Sequence, residues 1–341
     1  MSERTELEQL GEFGLIDHLT KDIKASNDST IKGIGDDAAA IDRGDHLEVI
    51  TTDMLVEGVH FDLSYTPLKH LGYKAVAVNV SDVCAMNAVP TQLTVSLAIS
   101  NRFSVEALEE LYAGIKLACS TYGVDLVGGD TTSSLSGLVI SITALGKTTK
   151  ETIAYRSGAQ ENDLICLSGD VGAAYLGLQI LEREKQIWKD NPQVQPDLSG
   201  HDYVLERFLK PESRTDIITE LREKEIVPTS MIDVSDGVGS EILHLCKSSN
   251  LGARIYEEKL PIDETVMNLA QEFKLEPSLC AMNGGEDYEL LFTVKQTAFD
   301  QINAMDQVHI IGHMTDVASG AAMIYPQGEE IPIKAQGWKS F

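Results

Sequence analysis

The sequence predicts an α/β or α+β protein of two domains, and three observations carry that prediction. Short apolar, β-branched runs alternate along the whole chain with segments of helical periodicity. A polar, turn-rich stretch at 146–163 divides the 341 residues into two parts of ordinary domain size. After it the pattern restarts, with LICLSG at 164–169, a glycine turn and a helix. An N-terminal domain is therefore expected at 1–149 and a C-terminal one at 150–341.

Taken in order, residues 6–19 read as an opening helix with Leu7, Leu10, Leu15, Ile16 and Leu19 on its apolar face. LEVITT at 47–52 is a strand that delivers Asp53 at its C-terminal end. Leu71, Ala75, Val78, Val83 and Met86 recur at helical intervals, and on that helix Asn79 and Asp82 fall three apart on one face. Thr91–Ser100 is strand-like. Ser104 then caps an amphipathic helix (Leu108, Leu111, Ile115, Cys119) that stops at Gly123. DLVGG presents Asp130, and LVISITAL at 138–145 is a further strand. In the second half a helix starts near Val171, and residues 183–203 form a polar, proline-bearing excursion. Met231–Val234 is a strand carrying Asp233, 237–248 a helix and 288–294 a strand.

Composition narrows the function. The formal net charge is −26 and the pI is near 4.6, which argues against nucleic acid and anionic membrane as partners. The five cysteines are odd in number and form no CxxC, so neither a disulfide framework nor a zinc site is expected. The start lacks the apolar core of a signal peptide, and no apolar run is long enough to span a bilayer. A cytoplasmic protein is expected.

Familiar catalytic signatures are missing: no lysine-bearing phosphate loop, no dinucleotide fingerprint, no EF-hand, no H-E-x-x-H pair and no G-x-S-x-G elbow. What stands out are five aspartate clusters beside glycine, serine or threonine. They are GIGDDAA (33–39), TTDMLVEGVHF (51–61), VNVSDVCAM (78–86), VGGDTTSS (127–134) and MIDVSDG (231–237). A carboxylate repels a phosphate but binds one through Mg²⁺, which takes hard oxygen ligands and keeps several waters. Bare carboxylates brought together repel one another unless a cation sits between them. If the clusters share one cleft, they specify a Mg-dependent phosphate enzyme.

Several residues keep two readings. Thr51 and Thr52 supply hydroxyl or carbonyl ligands, or merely favour a strand. Ser235 is a capping hydroxyl or a donor to phosphate. The Gly169–Gly172 turn is an anion-binding helix start or a plain connector. Arg156 suits a bidentate phosphate contact but is equally at home in solvent. Trp338 is a hydrophobic plug or a stacking surface for a flat cationic ring. Glu286 and Asp287 precede an apolar strand, an unusual place for two carboxylates.

Together with GEFGLI (11–16), KAVAVNVSDVCAM (74–86), YRSGA (155–159), GGEDYEL (284–290) and GWKSF (337–341), these motifs resemble the thiamine-monophosphate kinase family. Its superfamily also holds aminoimidazole ribonucleotide synthetase and selenophosphate synthetase. The resemblance implies an N-terminal mixed sheet that completes a barrel across a homodimer, and a C-terminal α/β domain. It implies ATP and thiamine monophosphate as substrates, with several Mg²⁺ ions between them. Carried over, Asp37, Thr51, Thr52, Asp53, Asp82, Asp130, Asp233 and Asp236 match Mg²⁺ ligands. Gly129, Asp130, Arg156 and Ser235 match ATP contacts, and His60, Glu286 and Trp338 match contacts to thiamine monophosphate. Asp53, Asp82 and Asp233 are expected to bridge the metals in catalysis. The competing expectations are an ATP-dependent synthetase of the same superfamily, acting on another acceptor, and an acidic cation-binding protein without catalysis.

Overall fold

The computed structural model of the chain describes residues 7–334. It contains two mixed β-sheets with helices between and around them. The first sheet is built from β1 (Thr30–Lys32), β2 (Ala39–Asp42), β3 (Leu47–Val56), β4 (Val89–Ile99), β5 (Asp125–Ser133) and β6 (Leu138–Thr148), in the order β1-β2-β3-β6-β4-β5. Neighbours are antiparallel except β4 and β5, which run parallel. Helices α1 (Gly11–Thr20), α2 (Leu68–Ala85) and α3 (Val105–Tyr122) accompany it.

The second half supplies β7 (Leu164–Ser168), α4 (Ala173–Asp190), α5 (Asp202–Leu209), α6 (Thr215–Glu223), β8 (Ser230–Asp233), α7 (Val238–Ser249) and β9 (Gly252–Tyr256). It continues with α8 (Glu264–Glu272), α9 (Pro277–Asn283), β10 (Leu290–Val294), α10 (Phe299–Asn303), β11 (Val308–Thr315), β12 (Ala321–Ile324) and β13 (Glu330–Pro332). Its sheet runs β13-β12-β9-β11-β7-β10-β8, with β9 and β12 as the parallel pair. Among the described residues, no helix is long and apolar enough to cross a membrane.

The placement of α2 decides where chemistry can happen. From Leu71 to Ala85 all of it is buried except Asp82, which is half-buried. A helix apolar nearly all round must be covered all round. It touches β3, β4, β6 and α3 on the first-sheet side and β8, α5 and α6 from the second half. One hydrophobic core accordingly runs from Leu93 and Ile140 through Val76 and Val80 to Met231 and Phe292. Close approach to α3 depends on glycine: a Cβ on Gly72 would lie 2.0 Å from Leu111 O, and one on Gly114 1.8 Å from Lys69 O. As expected, α3 starts at Ser104, whose hydroxyl accepts from Ala107 N, and ends at left-handed Gly123.

Three expectations need adjustment. The opening helix is interrupted: a 3-10 turn at Leu7–Gln9 precedes Gly11, whose φ of +62° breaks the run, and α1 buries none of its side chains in the single chain. β3 continues three residues past Asp53, because Met54-Leu55-Val56 goes on pairing with β6. Residues 183–190 belong to α4, which turns Leu181 and Glu184 inward, so the polar excursion is confined to 191–201.

Candidate active site

Asp37, Asp82 and Asp233 come from three separate elements and bring ligand oxygens within 4.8 Å of one another. Asp37 sits on the loop between β1 and β2, Asp82 on the one partly open position of α2 between Leu71 and Ala85, and Asp233 at the end of the fully buried strand β8. Neighbouring hydroxyls fix their aim. Ser81 Oγ donates to Asp233 Oδ2 (2.6 Å), and Thr51 Oγ1 donates to Asp82 Oδ2 (2.6 Å). Asp53 is anchored through its backbone: its N–H donates to Asn79 Oδ1 (3.0 Å), while Asn79 Nδ2 donates to Ala75 O. Asn79 therefore ties β3 to α2, and Asp82, three residues on, faces the other carboxylates.

The electrostatics are those of crowded anions. Burial, followed by Asp53, Asp233 and Asp37, pushes the Asp82 carboxyl well above the usual carboxylate range. Burial and then Asp37 push Asp233 up to about 7, against the pull of Ser81. Asp53 is raised by burial and then by Asp37. Asp37 is also raised by burial, although Arg156 opposes it with a forked contact, Nη2 to Oδ1 at 2.7 Å and Nε to Oδ2 at 3.2 Å. The donor set is all hard oxygen, its charges raise one another's proton affinity, and half-buried Asp82 leaves a way in. These residues fit a divalent cation such as Mg²⁺.

Arg156 also donates its backbone N–H to Asp36 Oδ1 (3.0 Å), so YRSGA is pinned to GIGDDAA across 120 residues. Asp236 is raised to about 6 by burial and then Glu12, with Arg156 opposing, and its N–H donates to buried Glu241 Oε1. Ser235 lends its carbonyl to Glu286 N (2.7 Å). On the expected substrate side, His60 follows β3 and accepts at Nδ1 from Val56 N–H (3.0 Å). That leaves Nε2 as the ring's donor when neutral. Glu286 adopts a left-handed φ of +60° and meets Lys74 Nζ at 2.7 Å.

Not every expected residue joins this cluster. Thr51 is buried facing α2, whereas Thr52, on the opposite face of the same strand, bonds Ile142 O and Thr143. Gly129 and Asp130 lie inside β5, an edge strand whose nine residues are all exposed. Among the described residues, Asp130 makes no ion pair. A Cβ on Gly129 would sit 1.8 Å from Val95 O, so glycine is required there by the approach of β4. Trp338 lies outside the described residues.

The sequence did not reveal what Asp287 and Glu289 do. Gly172 N donates to Asp287 Oδ2 (2.8 Å), so the anion at the start of α4 is the protein's own carboxylate. Buried Glu289 accepts from Ser168 Oγ (2.5 Å), Arg214 Nη1 (2.6 Å) and Arg207 Nη1 (3.0 Å). The signal was present in GGEDYEL: acids directly before an apolar strand end up buried, and buried acids need partners.

Comparison with known proteins adds four findings of one kind. The family model described as AIR synthase related protein, N-terminal domain, matches residues 35–148. The thiamine-monophosphate kinase of Aquifex aeolicus (strain VF5) is 32% identical over 335 residues, covering 98% of this chain and 99% of the relative. That of Escherichia coli (strain K12) is 33% identical over 338 residues, covering 97% and 98%. A solved structure described as AaThiL complexed with AMPPCP and TMP superposes with a TM-score of 0.84 at 31% identity and covers 100% of both chains.

Proposed function

Since the chain belongs to the thiamine-monophosphate kinase family, we infer that it transfers the γ-phosphoryl group of ATP to thiamine monophosphate, giving ADP and thiamine diphosphate. The observation that carries this reading is the meeting of Asp37, Asp82 and Asp233 within 4.8 Å, between the two sheets. An oxygen of the acceptor phosphate attacks the γ-phosphorus, and the bond to the ADP oxygen breaks. The attacking oxygen of the acceptor phosphate is already ionised near neutral pH, so no general base is required. The protein's task is to align two polyanions and offset their charge.

Asp37, Asp53, Asp82, Asp130, Asp233 and Asp236, together with Thr51 and Thr52, would hold Mg²⁺ in this proposal. Bound there, Mg²⁺ supplies positive charge between the phosphates and a template for in-line transfer. Asp53, Asp82 and Asp233 are the residues whose loss stops turnover. Arg156 neutralises Asp37 in the free chain. Its fork suits phosphate equally well, and in this proposal Arg156 would contact ATP. Gly129 and Ser235 bring backbone and hydroxyl to the nucleotide. His60, Glu286 and Trp338 contact thiamine monophosphate.

The N-terminal domain, 1–149, binds ATP and metal, and 150–341 completes the site. The fully exposed edge of β5 supports a homodimer in which two first sheets close a barrel, since an unpaired edge strand invites pairing. Five free thiols support a cytoplasmic location. The test is to incubate purified protein with Mg-ATP and either thiamine or thiamine monophosphate, and to identify the product by mass. Thiamine diphosphate from the monophosphate alone supports the reading. Turnover of free thiamine instead overturns the acceptor.

A further inference from the structure

The chain is poor in lysine and arginine, yet α2 buries one lysine almost completely: Lys74 is 2% exposed. An ammonium so placed is costly unless paired and hydrogen-bonded. Its Nζ donates to Glu286 Oε2 (2.7 Å) and Phe208 O (3.2 Å), and lies 4.4 Å from the centre of the Phe208 ring. Its carboxylate partner is not in relaxed surroundings. Gly285, Glu286 and Tyr288 have φ of +69°, +60° and +52°, and the last two carry side chains that disfavour this region. Two bonds hold the strained turn to the segment that directly follows Asp233: Glu286 N to Ser235 O (2.7 Å) and Tyr288 N to Val234 O (2.9 Å). On α2, Lys74 and Asp82 are eight residues apart, about 12 Å along the axis, and share one face. Lys74 and Glu286 are thus tied, through Ser235 and Val234, to the segment that directly follows Asp233 of the carboxylate cluster.

We propose that Lys74 is a positioning residue for the acceptor substrate: it holds Glu286 by Oε2 in its strained conformation, so that the carboxylate meets thiamine monophosphate at a fixed place. This rests on the acceptor assigned above. A lysine serving only to fill the core would support both substrates equally. A positioning lysine supports one.

The experiment is steady-state kinetics with thiamine monophosphate and Mg-ATP on the wild type, Lys74→Met, Glu286→Gln and the double variant. Lys74→Met is expected to raise KM for thiamine monophosphate roughly tenfold, a coupling of about 1.4 kcal/mol. KM for ATP should stay within about twofold, well inside the scatter of non-coupled sites. The double variant should match Glu286→Gln alone. Lys74→Gln, which keeps a donor for Phe208 O but loses the charge, must show the same split if Lys74→Met fails to fold. A parallel rise in both KM values, or losses that multiply in the double variant, overturns the proposal. Wild-type protein that makes no thiamine diphosphate overturns the acceptor assignment itself, a distinct outcome.

Discussion

Asp82→Asn should trade activity for stability, and the size of the trade can be worked from the site. Asn keeps an oxygen for Thr51 Oγ1 and nearly the same volume, so the change is chiefly the loss of one negative charge. Asp82 has ligand oxygens within 4.8 Å of both Asp37 and Asp233. At an effective dielectric of about 20, each fully ionised pair at that separation repels by about 3 kcal/mol. The wild type avoids part of this by retaining protons, since all three carboxyls are raised. A group raised in the folded state binds more protons folded than unfolded, so stability falls as pH climbs from the unfolded value toward the folded one. For Asp233 that window runs from 3.8 to about 7. Metal-free wild type should therefore lose stability as pH rises from about 4 to about 7, and Asp82→Asn should lose less. We expect the variant to be about 1–3 kcal/mol more stable than wild type at pH 8 in EDTA, with the gap narrowing at pH 6. Its turnover should drop by orders of magnitude. Urea unfolding at both pH values and a coupled ADP assay read these quantities. A variant less stable than wild type in EDTA at pH 8, or one with near-normal turnover, refutes the reasoning.

Adding Mg²⁺ to wild type should raise Tm more at pH 8 than at pH 6, because ion binding must displace protons from the raised carboxyls; an equal shift at both would contradict this. Arg156→Gln should raise KM for ATP about tenfold or more, as expected for losing a forked, charge-assisted phosphate contact; unchanged ATP kinetics would remove it from the nucleotide site. Glu289→Gln should destabilise the fold by about 3 kcal/mol, since it leaves buried Arg214 and half-buried Arg207 short of a counter-charge. Both KM values should hold in the surviving fraction, and urea unfolding together with kinetics separates the two effects.

How much was legible in the sequence depended on how local the cause was. The α3 boundaries follow from Ser104 and Gly123, residues that act within one helical turn, and both were readable. The strand LEVITT was found, but its end was misplaced because Met54-Leu55-Val56 keeps its pairing with β6, a partner 80 or more residues away. Periodicity in 6–19 was real, yet Gly11 interrupts the helix, and among the described residues α1 is buried nowhere, with Phe13 resting on His244. The aspartate clusters announced themselves by composition, whereas their meeting required α2 to lie between two sheets. Lys74 passed unnoticed in KAVAVNVSDVCAM. A lysine followed directly by the apolar run AVAV, on a helix buried from Leu71 onward, was itself the signal. Thr51 and Thr52 looked equivalent until the pleat of β3 put their hydroxyls on opposite faces.

The most direct test is to grow crystals with Mn²⁺ in place of Mg²⁺, together with a non-hydrolysable ATP analogue, and to measure anomalous scattering. The account predicts at least one peak about 2.0–2.3 Å from carboxylate oxygens of Asp37, Asp82 or Asp233, with the Arg156 guanidinium on phosphate instead of Asp37. Density for nucleotide with no anomalous peak among those three side chains would contradict it.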